Sequence, residues 1–248
     1  MKAMIFAAGL GTRLRPLTDS MPKALVPVAG KPMLEHVVTR LVNAGFDDIV
    51  VNIHHFGEQI IDFLQSHDFN AKITISDERD LLLDTGGGVK KACEFLGYDE
   101  PVLLHNADIF TNVDLRALYA SHIARGSDAT LLVAERQSSR QLYFNGQHRL
   151  CGWMNKNTGE TKPGDFAPSK EMCERAFSGV HVVSPAMLRA IAEFKTDSPV
   201  FSIMPFYLSV CNSLRIDGYE SPTQYHWFDI GKVENLRKVE ELTADFAI

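Results

Sequence analysis

Cysteine is scarce in this 248-residue sequence: Cys93, Cys151, Cys173 and Cys211 stand far apart and form no C-x-x-C pair. That spacing offers neither a disulfide framework nor a structural zinc cage, and it predicts reduced thiols that serve as small packing residues. Long apolar runs are lacking too. No stretch approaches the roughly 18 apolar residues of a membrane span. The apolar start, Met1 to Ala8, is shorter than a signal-peptide core and runs at once into glycines and arginines. A soluble, cytoplasmic protein is the expectation. Positive charge is in short supply as well: 25 Lys and Arg against 31 Asp and Glu leave a net charge of -6. This excludes nucleic acid and anionic membrane as main partners, since both reward a basic surface. Internal repeats and low-complexity segments are missing, and oligomeric state leaves no trace in the sequence.

What is present is unevenly placed. Residues 1–40 carry Lys2, Arg13, Arg15, Lys23, Lys31 and Arg40 against only Asp19 and Glu35, a local charge of +4 on a chain whose remainder is -10. A small basic patch on an acidic body suits a small anionic ligand. Strand-like and helix-like segments alternate along most of the chain, which predicts an α/β fold: a Rossmann-like, mixed but mostly parallel sheet with helices on both faces. The first strand is Lys2 to Ala7. Helices are expected over Met33 to Val42, Gly57 to Leu64, Gly86 to Leu96 and Val113 to Ala124, with strands at Asp48 to Ile53, Ala71 to Ser76 and Pro101 to His105. A hairpin turning at Asn145-Gly146 and a polar, turn-rich stretch over 155–175 suggest a small lobe. Strands at Phe177 to Val183, Leu214 to Ile216 and Tyr225 to Ile230, and helices at Pro185 to Phe194, Ile203 to Val210 and Val233 to Phe246, complete the pattern.

The segment Ala7-Ala8-Gly9-Leu10-Gly11-Thr12-Arg13 leaves the carboxyl end of the first strand, where open α/β sheets bind ligands. Leu14 occupies the third glycine position of a dinucleotide fingerprint and no Gly-Lys-Ser/Thr follows, so neither a nicotinamide site nor a Walker loop fits. Two glycines followed by Arg13 and Pro22-Lys23 suit a triphosphate better than a plain turn.

The run from Ala7 to Thr18, continued by Met21-Pro22-Lys23-Ala24-Leu25-Val26-Pro27-Val28 and Lys31-Pro32-Met33, resembles the signature of the sugar-1-phosphate nucleotidyltransferases. The resemblance implies a nucleoside triphosphate and a sugar 1-phosphate as substrates and Mg²⁺ as cofactor. It assigns Ala8, Gly9, Gly11 and Thr12 to nucleotide phosphates, Arg13 and Lys23 to catalysis, and Asp108 and Asp229 to the metal. Glu78, Thr85 and Gly86 are assigned to the nucleobase side, Asn106 and Gly179 to the sugar. One domain is expected over 1–248, residues 1–135 binding nucleotide and 136–248 forming the sugar-binding part and the C-terminal helix. Asp84-Thr85-Gly86-Gly87-Gly88 looks most like the short N-acetylmuramate 1-phosphate uridylyltransferases, a cell-wall precursor activity, with mannose-1-phosphate guanylyltransferases nearby. Departures are few: Trp153-Met154-Asn155-Lys156 is only a loose counterpart of the Glu-Lys-Pro segment many relatives carry. A guanylyltransferase for a mannose- or heptose-type phosphate, a choline-phosphate cytidylyltransferase and a noncatalytic regulatory relative are the alternative readings.

Overall fold

The structure is a computed structural model that describes residues 1–242. Strand β1 (Lys2–Phe6) leads into a loop, three single 3-10 turns (Thr12–Leu14, Leu17–Asp19, Lys23–Leu25) and the short pair β2 (Pro27–Val28) and β3 (Lys31–Pro32). Helix α1 (Met33–Asn43), β4 (Asp48–Ile53), α2 (Gly57–Ser66), β5 (Lys72–Asp77), α3 (Asp84–Leu96), β6 (Val102–Asn106) and β7 (Ile109–Thr111) follow. Next come α4 (Leu115–Arg125), β8 (Ala129–Ala134), β9 (Arg140–Phe144), β10 (Leu150–Asn155), β11 (Thr161–Lys162) and β12 (Cys173–Val183). The chain continues with α5 (Pro185–Glu193), α6 (Ile203–Val210), β13 (Ile216–Tyr219), β14 (Trp227–Asp229) and α7 (Val233–Leu242). The class is the expected α/β. The part of the last expected helix beyond Leu242 lies outside the described residues.

The chain forms two interleaved compact units, the first built from Met1–Leu82, His105–Val113 and the segment from Gln224 onward. In it β1, β4 and β5 pair in parallel, Phe6 beside Asn52 and Asn52 beside Ser76. Met4, Ile5, Val50 and Val51 are at most 1% exposed, as strands covered on both faces require. Helix α1 buries Met33, Leu34, Val37, Val38 and Leu41, spaced to form one apolar stripe. It ends at Ala44, with Gly45 just beyond at a φ of +87°, the left-handed stop that glycine supplies.

The second unit comprises Leu83–Leu104 and Asp114–Thr223. Its long strand β12 runs antiparallel to both β8 and β9, while β13 joins β8 in parallel. Pairing is therefore parallel among β1, β4 and β5 and mixed among β8, β9, β12 and β13. The hairpin β9–β10 forms as expected. Strands β2, β3, β7, β8 and β11 were not among the expected elements; all of these but β8 are two or three residues long, too short to show a period of two. Helix α4 starts later than expected because Asp114 caps it, accepting from Ala117 N–H at 2.9 Å.

Candidate active site

The loop after β1 is shaped by two glycines with different duties. Gly11 has φ +66°, and a Cβ there would lie 2.9 Å from the Thr18 methyl and 3.0 Å from Cβ of Lys23. Its carbonyl accepts from Leu14 N–H at 2.9 Å and from the Thr18 hydroxyl at 2.8 Å, which folds the chain over the fully buried Leu14. Gly11 is thus required by the fold. Gly9 is exposed, and a Cβ there would meet nothing within 4 Å. Its bareness leaves backbone open to solvent, beside buried Ala8 and exposed Thr12 and Arg13.

Lys23 opens a 3-10 turn for which Pro22 is the extended cap. Its ammonium pairs with Oδ2 of Asp108, and Arg13 pairs with Oδ2 of Asp229 at 3.4 Å. These acids, remote in sequence, meet because β7 and β14 pair antiparallel with Asp229 opposite Ile109, the residue after Asp108. Ile230 N–H also donates to the Asp108 carbonyl at 2.8 Å. Gly231 sits where the charges converge. A Cβ on it would lie 2.5 Å from a guanidinium nitrogen of Arg13 and 2.7 Å from both Oδ1 of Asp229 and the Lys23 ammonium. Its own N–H donates to Oδ1 of Asp229 at 2.8 Å. Arg13, Lys23, Asp108 and Asp229 are thereby brought together, as their spacing in sequence alone does not show. Gly231 had no role in the sequence reading; the Asp-x-Gly run was its only signal.

Asp108 and Asp229 offer two carboxylates, and magnesium binds one or two protein carboxylates and leaves its remaining positions to water and phosphate oxygens. Among the described residues no three such side chains gather into a ready-made metal cage. The residues present fit that ion.

The remaining candidates lie in the following surroundings. Glu78 is 1% exposed, and its Oε1 accepts from the Asn52 side chain at 2.7 Å, so it faces protein rather than an open nucleobase site. In the second unit, Thr85 and Gly86 lie in the first turn of α3, which starts two residues earlier than expected. Gly86 and Gly87 N–H both donate to the Phe201 carbonyl, at 2.9 and 3.1 Å, and the Phe201 ring covers Gly86 so closely that no Cβ would fit. Thr85 Oγ1 accepts from Ile203 N–H at 3.0 Å. The glycine run here admits a neighbouring segment of chain. Gly179, at φ +75°, is buried where the β12–β8 register shifts, a bulge that itself calls for glycine. Asn106 is half-buried at the end of β6. His105 before it is 2% exposed, and burial pushes its imidazole down to about 4. Lys156 pairs with Glu174 at 2.6 Å, which also accepts from the Tyr143 hydroxyl at 3.0 Å.

The chain is similar to known proteins over most of its length. An N-acetylmuramate alpha-1-phosphate uridylyltransferase of Caulobacter vibrioides is 33% identical over 225 residues, 87% of this chain and 86% of its own length. One from Neisseria meningitidis serogroup B is 32% identical over 254 residues, covering 98% of each chain. Among solved structures, a UDP-glucose pyrophosphorylase complexed with UDP-glucose matches with a TM-score of 0.78 over 98% of each chain at 17% identity, which shows a shared fold. The nucleotidyl transferase family model matches residues 2–245, and the chain is an enzyme of the nucleotidyl transferase family.

Proposed function

We propose that this enzyme transfers a nucleoside monophosphate from a nucleoside triphosphate to a sugar 1-phosphate, releasing pyrophosphate. The convergence of Arg13, Lys23, Asp108 and Asp229 around Gly231 carries this reading. A sugar 1-phosphate has a second pKa of about 6 and is already largely dianionic at neutral pH, so attack on the α-phosphorus needs no general base. The barrier lies in bringing that dianion to a polyanionic triphosphate, and catalysis rests on positioning and neutralisation. Backbone N–H groups of Ala8 to Thr12 hold the phosphates, Arg13 neutralises the triphosphate, and Lys23 lies between the α-phosphate and the incoming sugar phosphate. Asp108 and Asp229 would hold Mg²⁺, which when bound supplies charge neutralisation to the phosphate oxygens. Asn106 serves the sugar.

The favoured pair is UTP with N-acetylmuramate 1-phosphate or a related amino-sugar phosphate, supported by the two uridylyltransferase relatives. A pyrophosphate-release assay across the four common triphosphates and a set of sugar 1-phosphates, with choline phosphate included, tests this. Turnover should be highest with UTP and the amino sugar and should vanish on chelation of divalent metal. A preference for GTP with a mannose- or heptose-type phosphate would replace the substrate pair, and silence with every pair would reject the reaction.

A further inference from the structure

The peptide joining Phe6 to Ala7 is held on both edges. Its carbonyl accepts from Ala107 N–H at 3.1 Å, one residue before Asp108. Its N–H, on Ala7, donates to Oδ1 of Asn52 at 2.8 Å, and Asn52 donates in turn through Nδ2 to Oε1 of Glu78 at 2.7 Å. Asn52 and Glu78 are 2% and 1% exposed. Asn52 interrupts the apolar strand β4, where Val50, Val51 and Ile53 show what packing alone would select. A buried amide costs stability unless paired, and its two ends are not equivalent. A carboxylate offers acceptors only, so Glu78 turns the Nδ2 end of Asn52 toward itself and the oxygen toward Ala7.

We propose that Asn52 is a positioning residue for the triphosphate loop, with Glu78 fixing its orientation. The chain Glu78–Asn52–Ala7 locks the last peptide of β1, from which Ala8 to Thr12 spring, and so aims the loop N–H groups. Glu78 acts through Asn52 and does not read the base. This rests on the reading of Ala8 to Thr12 as the triphosphate loop.

The test reverses the donors and acceptors. Asn52→Asp sets two carboxylates against each other: kcat should fall on the order of a hundredfold at pH 8 with a smaller change in KM. Part of it should return as the pH is lowered and a shared proton restores one donor. In the double variant N52D/E78Q, the carboxylate introduced on β4 accepts from Ala7 N–H and from the side-chain amide that replaces Glu78. Its turnover should come back to within about fivefold of the parent enzyme, with no acid recovery limb. Hydrogen exchange at the Ala7 amide, measured without substrate, should be fast in N52D and slow in the parent and double variant. Undiminished turnover in N52D overturns the proposal, and so does a double variant that is unfolded or remains as impaired as the single one. A parent enzyme inactive with every substrate pair would instead reject the functional reading, and the exchange rates would still judge the loop.

Discussion

At the scale of single residues, Gly9 and Gly11 separate what the fold needs from what a ligand needs. Gly11→Ala must adopt φ +66° against Thr18 and Lys23, so a loss of about 1–3 kcal/mol in urea unfolding is expected. Gly9→Ala meets no protein atom and should unfold at the parental temperature. On the proposed phosphate contact, its kcat/KM for the triphosphate should nonetheless fall on the order of tenfold to a hundredfold, because a methyl group would intrude on that contact. Equal activity in G9A would remove the loop from the triphosphate. Gly231→Ala is a second separation of function. The atoms its methyl would meet include the far ends of Arg13 and Lys23, which can swing aside at little cost to the fold. The melting temperature should move by less than about 3 °C, while kcat drops on the order of a hundredfold as both cations leave their places. Parental turnover in G231A would show that their convergence is not needed.

Elements differ in how much of their role can be read from sequence. Helix α3 begins with a glycine run that reads equally well as a ligand loop or a helix start, and its partner decides. That partner, the Phe201 carbonyl and ring, arrives from more than a hundred residues away, and no local pattern announces it. Gly86→Ala should therefore destabilise the protein by about 1–3 kcal/mol through overpacking against Phe201, read as a lower urea midpoint; an unchanged midpoint would mean that the close approach is not maintained in solution. The same distinction explains the rest of the site. The loop after β1, Arg13 and Lys23 lie within one short stretch whose glycines, cations and proline local rules expose. Asp108 and Asp229 were legible as acids at strand ends, but their meeting depends on β7 and β14, which are three residues each and carry little periodicity. Asn52 left a faint trace, a polar residue inside an apolar strand, whereas the buried environment of Glu78 left none. The parallel half of the sheet was legible from its continuous apolar runs. The antiparallel arrangement around β12 was not, because pairing partners of long strands are set by packing across the unit.

For the whole molecule, pH is the simplest lever. His122 on α4 is 2% exposed, bonded to the Thr130 hydroxyl at 2.9 Å, and burial pushes it down to about 4. His105 is held about as low by burial, and His36 is shifted in the same direction. Because these folded-state values lie below the ordinary 6.5, the unfolded chain binds more protons between about 6.5 and 4. Stability is then full above about pH 7 and lost as the pH falls through that window. His122 alone accounts for a loss on the order of 3 kcal/mol. Urea midpoints measured from pH 7.5 to 4.5 should decline, and His122→Gln, which can keep the bond to Thr130, should flatten the decline; parallel curves would assign the acid sensitivity elsewhere.

The pairing of Lys23 with Asp108 and of Arg13 with Asp229 has a consequence for the order in which ligands can be held. Before substrate arrives, two positive and two negative side chains cancel. A triphosphate that draws off the cations strands two partly buried carboxylates, and a divalent ion that takes the carboxylates strands two cations. Either ligand alone strands side chains of one sign, whereas both together give the cations and the carboxylates a partner each. Their binding free energies are therefore coupled, and by reciprocity each must tighten the other by the same factor. Calorimetric titration with Mg²⁺ should give weak binding to the protein alone and at least about tenfold tighter binding in the presence of a nonhydrolysable triphosphate. Equal affinities in the two titrations would show the pairs to be bystanders. On the proposed reaction, the resting enzyme is a charge-matched lock that turns only for the metal and the nucleotide as one key.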